Sequence, residues 1–405
     1  MIYQAYGAQA DFLDLVRPLA AAAGTALRLP WPLLAPGWPI RNLAGALDTF
    51  ANLTVTHARL PFAIDSARVG DRLVPVREEP VHSTPFATLL HFKKDLETAQ
   101  PRVLVVAPLS GHFATLLRAT VKTMLADHDV YITDWGNIRD APLAEGRFDF
   151  NSFVDHVIEF LRVMGPGAHV VAVCQPCVPV LAAAALMAED RDEAQPRSMT
   201  LMAGPVDTRV NPTKVNELAA KRPISWFEQN LTAKVPRRFK GAGRRVYPGF
   251  MQLAAFISMN LERHLRSFKD MAEARADGDL TKLQVLQTFY EEYFAVMDLP
   301  AEFYLETVKM VFQDHVLPLG KLEVHGRRVD PRAIKRTALL TVEGERDDIC
   351  GLGQTLAAQE LCSGLRQYMK AHHVQTGVGH YGVFNGRRWN TEIYPKLRDM
   401  IQMTS

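Results

Sequence analysis

The sequence predicts an α/β protein with a mostly parallel central sheet, helices on both faces and a helical lid insertion. Three observations carry this. From residue 100 to 203, short apolar runs alternate with amphipathic helical stretches, the pattern of parallel strands buried on both faces. Residues 206–334 break the alternation with helical patterns rich in aromatic side chains, among them Trp226, Phe256, Phe289, Tyr293 and Phe312. An apolar strand then returns at Ala338–Val342.

Taken in order, the chain opens with a helical lead over about 8–23 and a Pro- and Trp-rich loop from Leu29 to Pro39. A second helical stretch reaches about residue 55, and strand-like patterns follow at Arg72–Val76 and Pro85–Phe92. The alternating part reads as strand Val103–Ala107, helix 113–126, strand Asp129–Thr133, helix 149–163, strand His169–Val173, helix 177–188 and strand Ser198–Ala203. After Ala338–Val342 come a helix near 353–362, a strand-like run Arg366–His373 and a final helix over about 389–402. Four parts result: a helical lead with the first strands (1–95), a sheet core (96–205), a helical lid or cap (206–334), and the C-terminal part of the core (335–405).

Composition narrows the function classes. The 405 residues are 48% hydrophobic and 22% charged, which excludes a disordered or coiled-coil chain. Lys and Arg number 46 against 44 Asp and Glu, so no electrostatic footprint for nucleic acid is present. Four cysteines, irregularly spaced, imply reduced thiols and a cytoplasmic setting rather than a disulfide scaffold. No apolar run is long enough for a transmembrane segment, and the N-terminus lacks the features of a secretory signal.

The chemistry centres on Ala172-Val173-Cys174-Gln175-Pro176. A buried strand ends there in a nucleophile type, with a small residue two positions earlier and a helix straight after, which is the layout of a nucleophile elbow. The usual flanking glycines are Ala172 and Pro176, and a Cys at a strand end is commonly core filler. Cys177 competes, although Gln175 would then stand where the elbow needs a small side chain. An α/β-hydrolase places its acid after a later strand and its histidine after the last. The Ala338–Val342 strand leads into Glu343-Gly344-Glu345-Arg346-Asp347, and Gly379-His380-Tyr381-Gly382 follows the last strand-like run. The long interval between Cys174 and Asp347 is filled by the 206–334 block. Cys174, Asp347 and His380 thus form a candidate triad, with Asp348 as the alternative acid. The thiol attacks, the imidazole takes and returns the proton, and the carboxylate holds the imidazole tautomer.

An oxyanion hole needs backbone N–H groups aimed at the developing charge. One belongs to Gln175; the other falls in Pro108-Leu109-Ser110-Gly111-His112, with Ser110 chosen and Leu109 next to it. Gly111 and His112 read equally well as a tight turn and a helix cap. No metal motif and no phosphate-binding loop is found, so neither metal nor cofactor is expected. Cys174-Gln175-Pro176-Cys177 is formally a redox C-x-x-C, but it lies mid-chain beside hydrolase landmarks. The basic run Arg237-Arg238-Phe239-Lys240 to Arg244-Arg245 reads as a solvated surface or an anionic docking patch.

Val106–Arg118, Val130–Trp135, Ala172–Pro176, the Tyr3-Gln4 lead and Gly379–Gly382 together resemble the intracellular polyhydroxybutyrate depolymerases over nearly the whole chain. The resemblance implies an α/β-hydrolase with a Cys-Asp-His triad falling on Cys174, Asp347 and His380. It implies cleavage of amorphous poly(3-hydroxybutyrate) at the surface of cytoplasmic storage granules. The polymer or its oligomers would be the partner; water or coenzyme A would accept the acyl group, and a homo-oligomer is compatible. Trp135 and the aromatics of the insertion are candidates to line an apolar groove. The competing readings are a polyhydroxyalkanoate synthase, which uses the same residue types, and a non-catalytic granule-binding protein.

Overall fold

A computed structural model describes residues 2–29, 38–96, 98–259 and 261–405. Most of the Pro- and Trp-rich loop expected at 29–39 therefore lies outside the described residues. Nine strands form the main sheet: β1 (Ser66–Val69), β2 (Arg72–Ser83), β3 (Ala87–Lys94), β4 (Arg102–Val106), β5 (Asp129–Trp135), β6 (His169–Val173), β7 (Ser198–Met202), β8 (Ala338–Gly344) and β9 (Lys370–Gln375). Their spatial order is β1-β2-β3-β5-β4-β6-β7-β8-β9. β1 to β3 and the β3–β5 pair run antiparallel, while β5-β4-β6-β7-β8-β9 run parallel. The crossing of β4 and β5, after an antiparallel start, is the strand order of the α/β-hydrolase fold.

The buried strands explain themselves. Every residue of β6, β7 and β8 is buried, and the sequence supplies mostly Val, Leu, Met and Ala, with His169, Ser198, Thr200, Thr341 and Glu343 as the buried polar exceptions. Helices follow in the order α1 (Ile2–Arg28), α2 (Trp38–Asn52), α3 (Arg118–Met124), α4 (Phe150–Met164) and α5 (Cys177–Glu189). α4 begins at a capping box in which Asp149 and Ser152 satisfy each other's backbone N–H groups. α5 has an apolar residue at nearly every position and is buried along Cys177–Met187, packed against α4 and β6. Between β7 and β8 come α6 (Lys214–Lys221), α7 (Ile224–Leu231), α8 (Gly249–Met259), α9 (Leu261–Asp277), α10 (Leu280–Tyr293) and α11 (Ala301–Thr307). The short α12 (Ala357–Leu361) and the terminal α13 (Tyr394–Thr404) complete the chain. α13 packs on β7 and β8, and Thr120 and Thr123 of α3 bond Phe384 and Asn390 near its start.

Several elements differ from the sequence reading. The first helix is longer and contains Pro18. β1 was not expected, and β2 runs past Val76 to Ser83: its outward Arg77, Glu78 and Glu79 hide the alternation, and the register shifts between Pro80 and His82. The helix expected at 113–126 is a 3₁₀ turn, Ala114–Leu117, followed by α3. The last strand begins at Lys370 after a 3₁₀ turn, Gln367–Met369. The insertion also holds short strands, Ala233–Lys234, Arg245–Tyr247 and Leu299–Pro300, which form a small sheet. The basic run is only partly a solvated face: Arg244 is buried and donates to the carbonyls of Ala141, Pro142 and Gly146, and Arg245 pairs with Glu228. Trp135 is also turned into the core, its indole N–H donating to Ala107 O at 2.8 Å.

A buried carboxylate fixes the loop after β8. Glu343 Oε1 accepts from Gly353 N (3.0 Å), Thr355 N (2.7 Å) and Leu356 N (3.0 Å), so the segment that leaves the strand is drawn back onto its end. We expect Glu343→Ala to cost about 2–4 kcal/mol, because three backbone donors lose their acceptor in the interior. Denaturant unfolding with an unchanged midpoint would refute this.

Four histidines are held neutral by burial: His57, His112, His128 and His169 are each lowered to about 4 from the usual 6.5. Between those limits the unfolded chain binds more protons than the folded one, so stability rises with pH through this window and falls on acidification. The melting temperature should drop steadily from pH 6.5 towards 4, by an amount equivalent to about 1–2 kcal/mol per histidine at pH 5. A flat profile over that range would count against it.

Candidate active site

β6 ends at Val173 and α5 begins at Cys177, so three residues turn the chain from strand to helix. Cys174 occupies the left-handed region with φ 66°, which a residue with a Cβ rarely adopts. Two backbone bonds hold it there: Cys174 N–H donates to Met202 O at 2.8 Å, and Cys177 N–H donates to Cys174 O at 3.1 Å. Pro176 precedes the helix with φ −61°, where a missing N–H costs nothing. Ala172 is fully buried, and a Cβ on Gly204 would come within 2.2 Å of Cys177 Sγ, so the crowded elbow requires small residues on β6 and just after β7.

The two cysteines are separated by this turn. Cys174 is half-buried, and its sulfur acts electrostatically on the His380 ring. Cys177 is wholly buried, its thiol directed at Ala172 O (3.5 Å) and Met202 O (3.7 Å), and burial pushes it well above the ordinary thiol range. All four cysteines are free thiols.

On the other side of the imidazole, His380 Nδ1 meets Asp347 Oδ2 at 2.8 Å. The second carboxylate oxygen of Asp347 accepts from Ile349 N (2.9 Å) and Cys350 N (2.8 Å), so the turn after β8 itself orients the acid. Asp348, the alternative, carries an exposed side chain. The acid and histidine loops are tied together: Arg346 N–H donates to Val378 O and Glu345 N–H to Gln375 O, both at 2.9 Å. Burial works against a charged His380, but the Asp347 carboxylate and the Cys174 sulfur outweigh it and raise the ring well above its usual range. Cys174, Asp347 and His380 are therefore brought together although they lie far apart in the chain.

The loop after β4 faces the elbow. Leu109 N–H donates to Gln175 Oε1 at 3.2 Å, and Ser110 follows half-buried. Gly111 has φ 101°, and a Cβ there would meet Gln252 Cγ at 2.7 Å. His112 does not cap the next helix; its Nε2 bonds Tyr293 O at 3.0 Å. Met297 N–H also donates to Gly111 O at 2.9 Å, so the segment from α8 to Met297 is fastened to this loop. Tyr381 packs beneath α10, 6.1 Å from Phe289 and 6.0 Å from Tyr293 between ring centroids. The sequence reading singled out neither Tyr381 nor the Gln175 side chain. For Tyr381 the one available signal was its place directly after His380.

Among the described residues no cluster of three or more His, Cys, Asp or Glu could hold a metal ion, and no helix is long and apolar enough to cross a membrane.

Comparison with known proteins bears on the second half of the chain. No curated protein gives a significant match to the sequence. Solved structures are similar at low identity. A monoacylglycerol lipase from Paleococcus ferrophilus is 12% identical, covering 76% of this chain and 97% of its own, with TM-score 0.45. The 2-hydroxy-6-oxo-6-phenylhexa-2,4-dienoate hydrolase of Rhodococcus sp. strain RHA1 is 13% identical over 81% and 99%, with TM-score 0.44. A structure from work on carboxylesterases of Nitrososphaera gargenis is 12% identical over 84% and 100%, with TM-score 0.42. The family model described as PHB de-polymerase C-terminus matches residues 203–405, which contain both Asp347 and His380. By that match over half its length, the chain belongs to the PHB depolymerase C-terminus family.

Proposed function

We propose that the chain hydrolyses the ester bonds of poly(3-hydroxybutyrate) through a Cys174 acyl-enzyme, acting in the cytoplasm at the surface of amorphous storage granules. The observation that carries the reading is the buried imidazole of His380, hydrogen-bonded to Asp347 at 2.8 Å and raised above its usual range by that carboxylate and by the neighbouring Cys174 sulfur. Membership of the PHB depolymerase family supports the substrate.

In the acylation step the Cys174 thiol gives its proton to His380 and the sulfur forms a bond to the ester carbonyl carbon. Negative charge gathers on the carbonyl oxygen and is met by the main-chain N–H groups of Gln175 and Ser110. The C–O bond then breaks, and the imidazolium of His380 gives its proton to the departing alcohol, which is the shortened chain. Asp347 keeps the proton on Nδ1 and offsets the positive ring throughout. Water then adds to the 3-hydroxyacyl thioester while His380 takes its proton, and the proton returns to sulfur as the C–S bond breaks. A thioester also transfers readily to another thiol, so coenzyme A is a second acceptor compatible with this site.

The helical block from 206 to 334 acts in this reading as a lid, with Phe289, Tyr293 and Tyr381 forming an apolar ceiling suited to an uncharged polyester. No cofactor or metal takes part in the steps written here.

Clearing of native amorphous granules, followed by turbidity and by released 3-hydroxybutyrate, tests the proposal. Cys174→Ala should lower the rate by about 10³-fold or more, while Cys177→Ala should stay within a few-fold of wild type provided it folds. His380→Ala should match Cys174→Ala, because residues acting as one unit are not additive. Clearing that survives Cys174→Ala, or its absence in a well-folded wild type, would overturn the assignment.

A further inference from the structure

We infer that the Gln175 side chain is itself a catalytic donor, its Nε2 amide completing the oxyanion hole beside the nucleophile. The inference rests on the acyl-enzyme reading above and adds a group that the backbone account does not contain.

Two observations meet at this side chain. Its Oε1 accepts the Leu109 N–H at 3.2 Å. Its Nε2 is shielded from solvent and has no hydrogen-bond partner among the described residues. The Leu109 N–H fixes which end of the carboxamide is which, since the reversed amide would set donor against donor. A buried donor without an acceptor is costly, and a half-buried Gln could relieve that cost by turning to water. The Leu109 bond opposes the turn. It anchors the carboxamide across the gap between the elbow and the loop after β4, on the residue adjoining Cys174.

The missing partner is identified by its chemistry. It is an oxygen acceptor that arrives with the reaction and carries more charge in the transition state than before it. The carbonyl oxygen of an ester attacked by Cys174 meets that description. A fixed neutral donor in a water-excluded site stabilises such an oxygen without reorganising. The Leu109 N–H is already spent on Oε1, so in this account the loop contributes the Ser110 N–H, beside the Gln175 N–H and Nε2. Nothing is oxidised or reduced, and Nε2 keeps its protons: it donates hydrogen bonds only.

The test uses the full-length protein and no polymer. Iodoacetamide alkylation of Cys174 reads the thiol–imidazole pair and needs no oxyanion hole. Butyraldehyde adds Cys174 reversibly, giving a tetrahedral thiohemiacetal whose oxygen occupies the hole, and its affinity is read as protection from alkylation. In Gln175→Ala and the near-isosteric Gln175→Met, alkylation without aldehyde should stay within about threefold of wild type. Aldehyde affinity should fall about 100-fold, and kcat on p-nitrophenyl butyrate about 10²–10³-fold with KM little changed. Retained aldehyde affinity and kcat in Gln175→Met would overturn the inference, and so would a gain of activity in Gln175→Ala, which would make the side chain a plug. A parallel loss of alkylation in both variants would reduce Gln175 to a support of the elbow, and also overturns it. Granules that fail to clear while the aldehyde comparison holds would count against the polymer reading alone.

Discussion

The left-handed backbone of Cys174 is the constraint on which the site depends. A β-carbon in that region is strained, and such strain persists only where the surroundings over-determine it. Here they do so from three directions: β7 supplies Met202 O, α5 supplies the Cys177 N–H, and the small residues Ala172 and Gly204 leave room for the chain to double back. The result is a thiol lifted off the end of the sheet, while the second thiol, three positions on, is sealed below it. Every other element of the site is placed relative to that turn. β8 and β9 carry Asp347 and His380 to it, and the loop after β4 closes on it through Leu109.

The readability of the fold in the sequence followed burial. β6 and α5 appear where the apolar pattern places them because both are buried along most of their length, so composition alone reports them. β2 and the first helix were read too short. In β2, Arg77 and Glu78 reach solvent on opposite faces and interrupt the alternation, and α1 extends beyond both ends of the 8–23 stretch. The convergence of Cys174, Asp347 and His380 was legible as an order of strand-end residues, since that order follows from the topology itself.

The remaining parts of the site were not legible, for a different reason. The bond from His112 to Tyr293 O spans 181 positions, and the Leu109 contact with Gln175 joins loops from different strands. No periodicity encodes such pairings. Arg244 illustrates the same limit: in a basic run it reads as surface, yet three carbonyls from the 141–146 loop take up its guanidinium in the interior. Its role comes from where the small sheet of the insertion sits, which the run itself does not specify.

Glu343 separates two properties that are often coupled in the loop after a strand. Because its carboxylate draws Gly353, Thr355 and Leu356 back from within, the path of the loop is set by the strand end rather than by the outer residues. Glu345, Arg346 and Asp348 present their side chains outward on that path. The rim beside the site can thus diverge in charge and size while the acid beneath it stays in register, which makes it a natural place for related chains to vary in what they dock against.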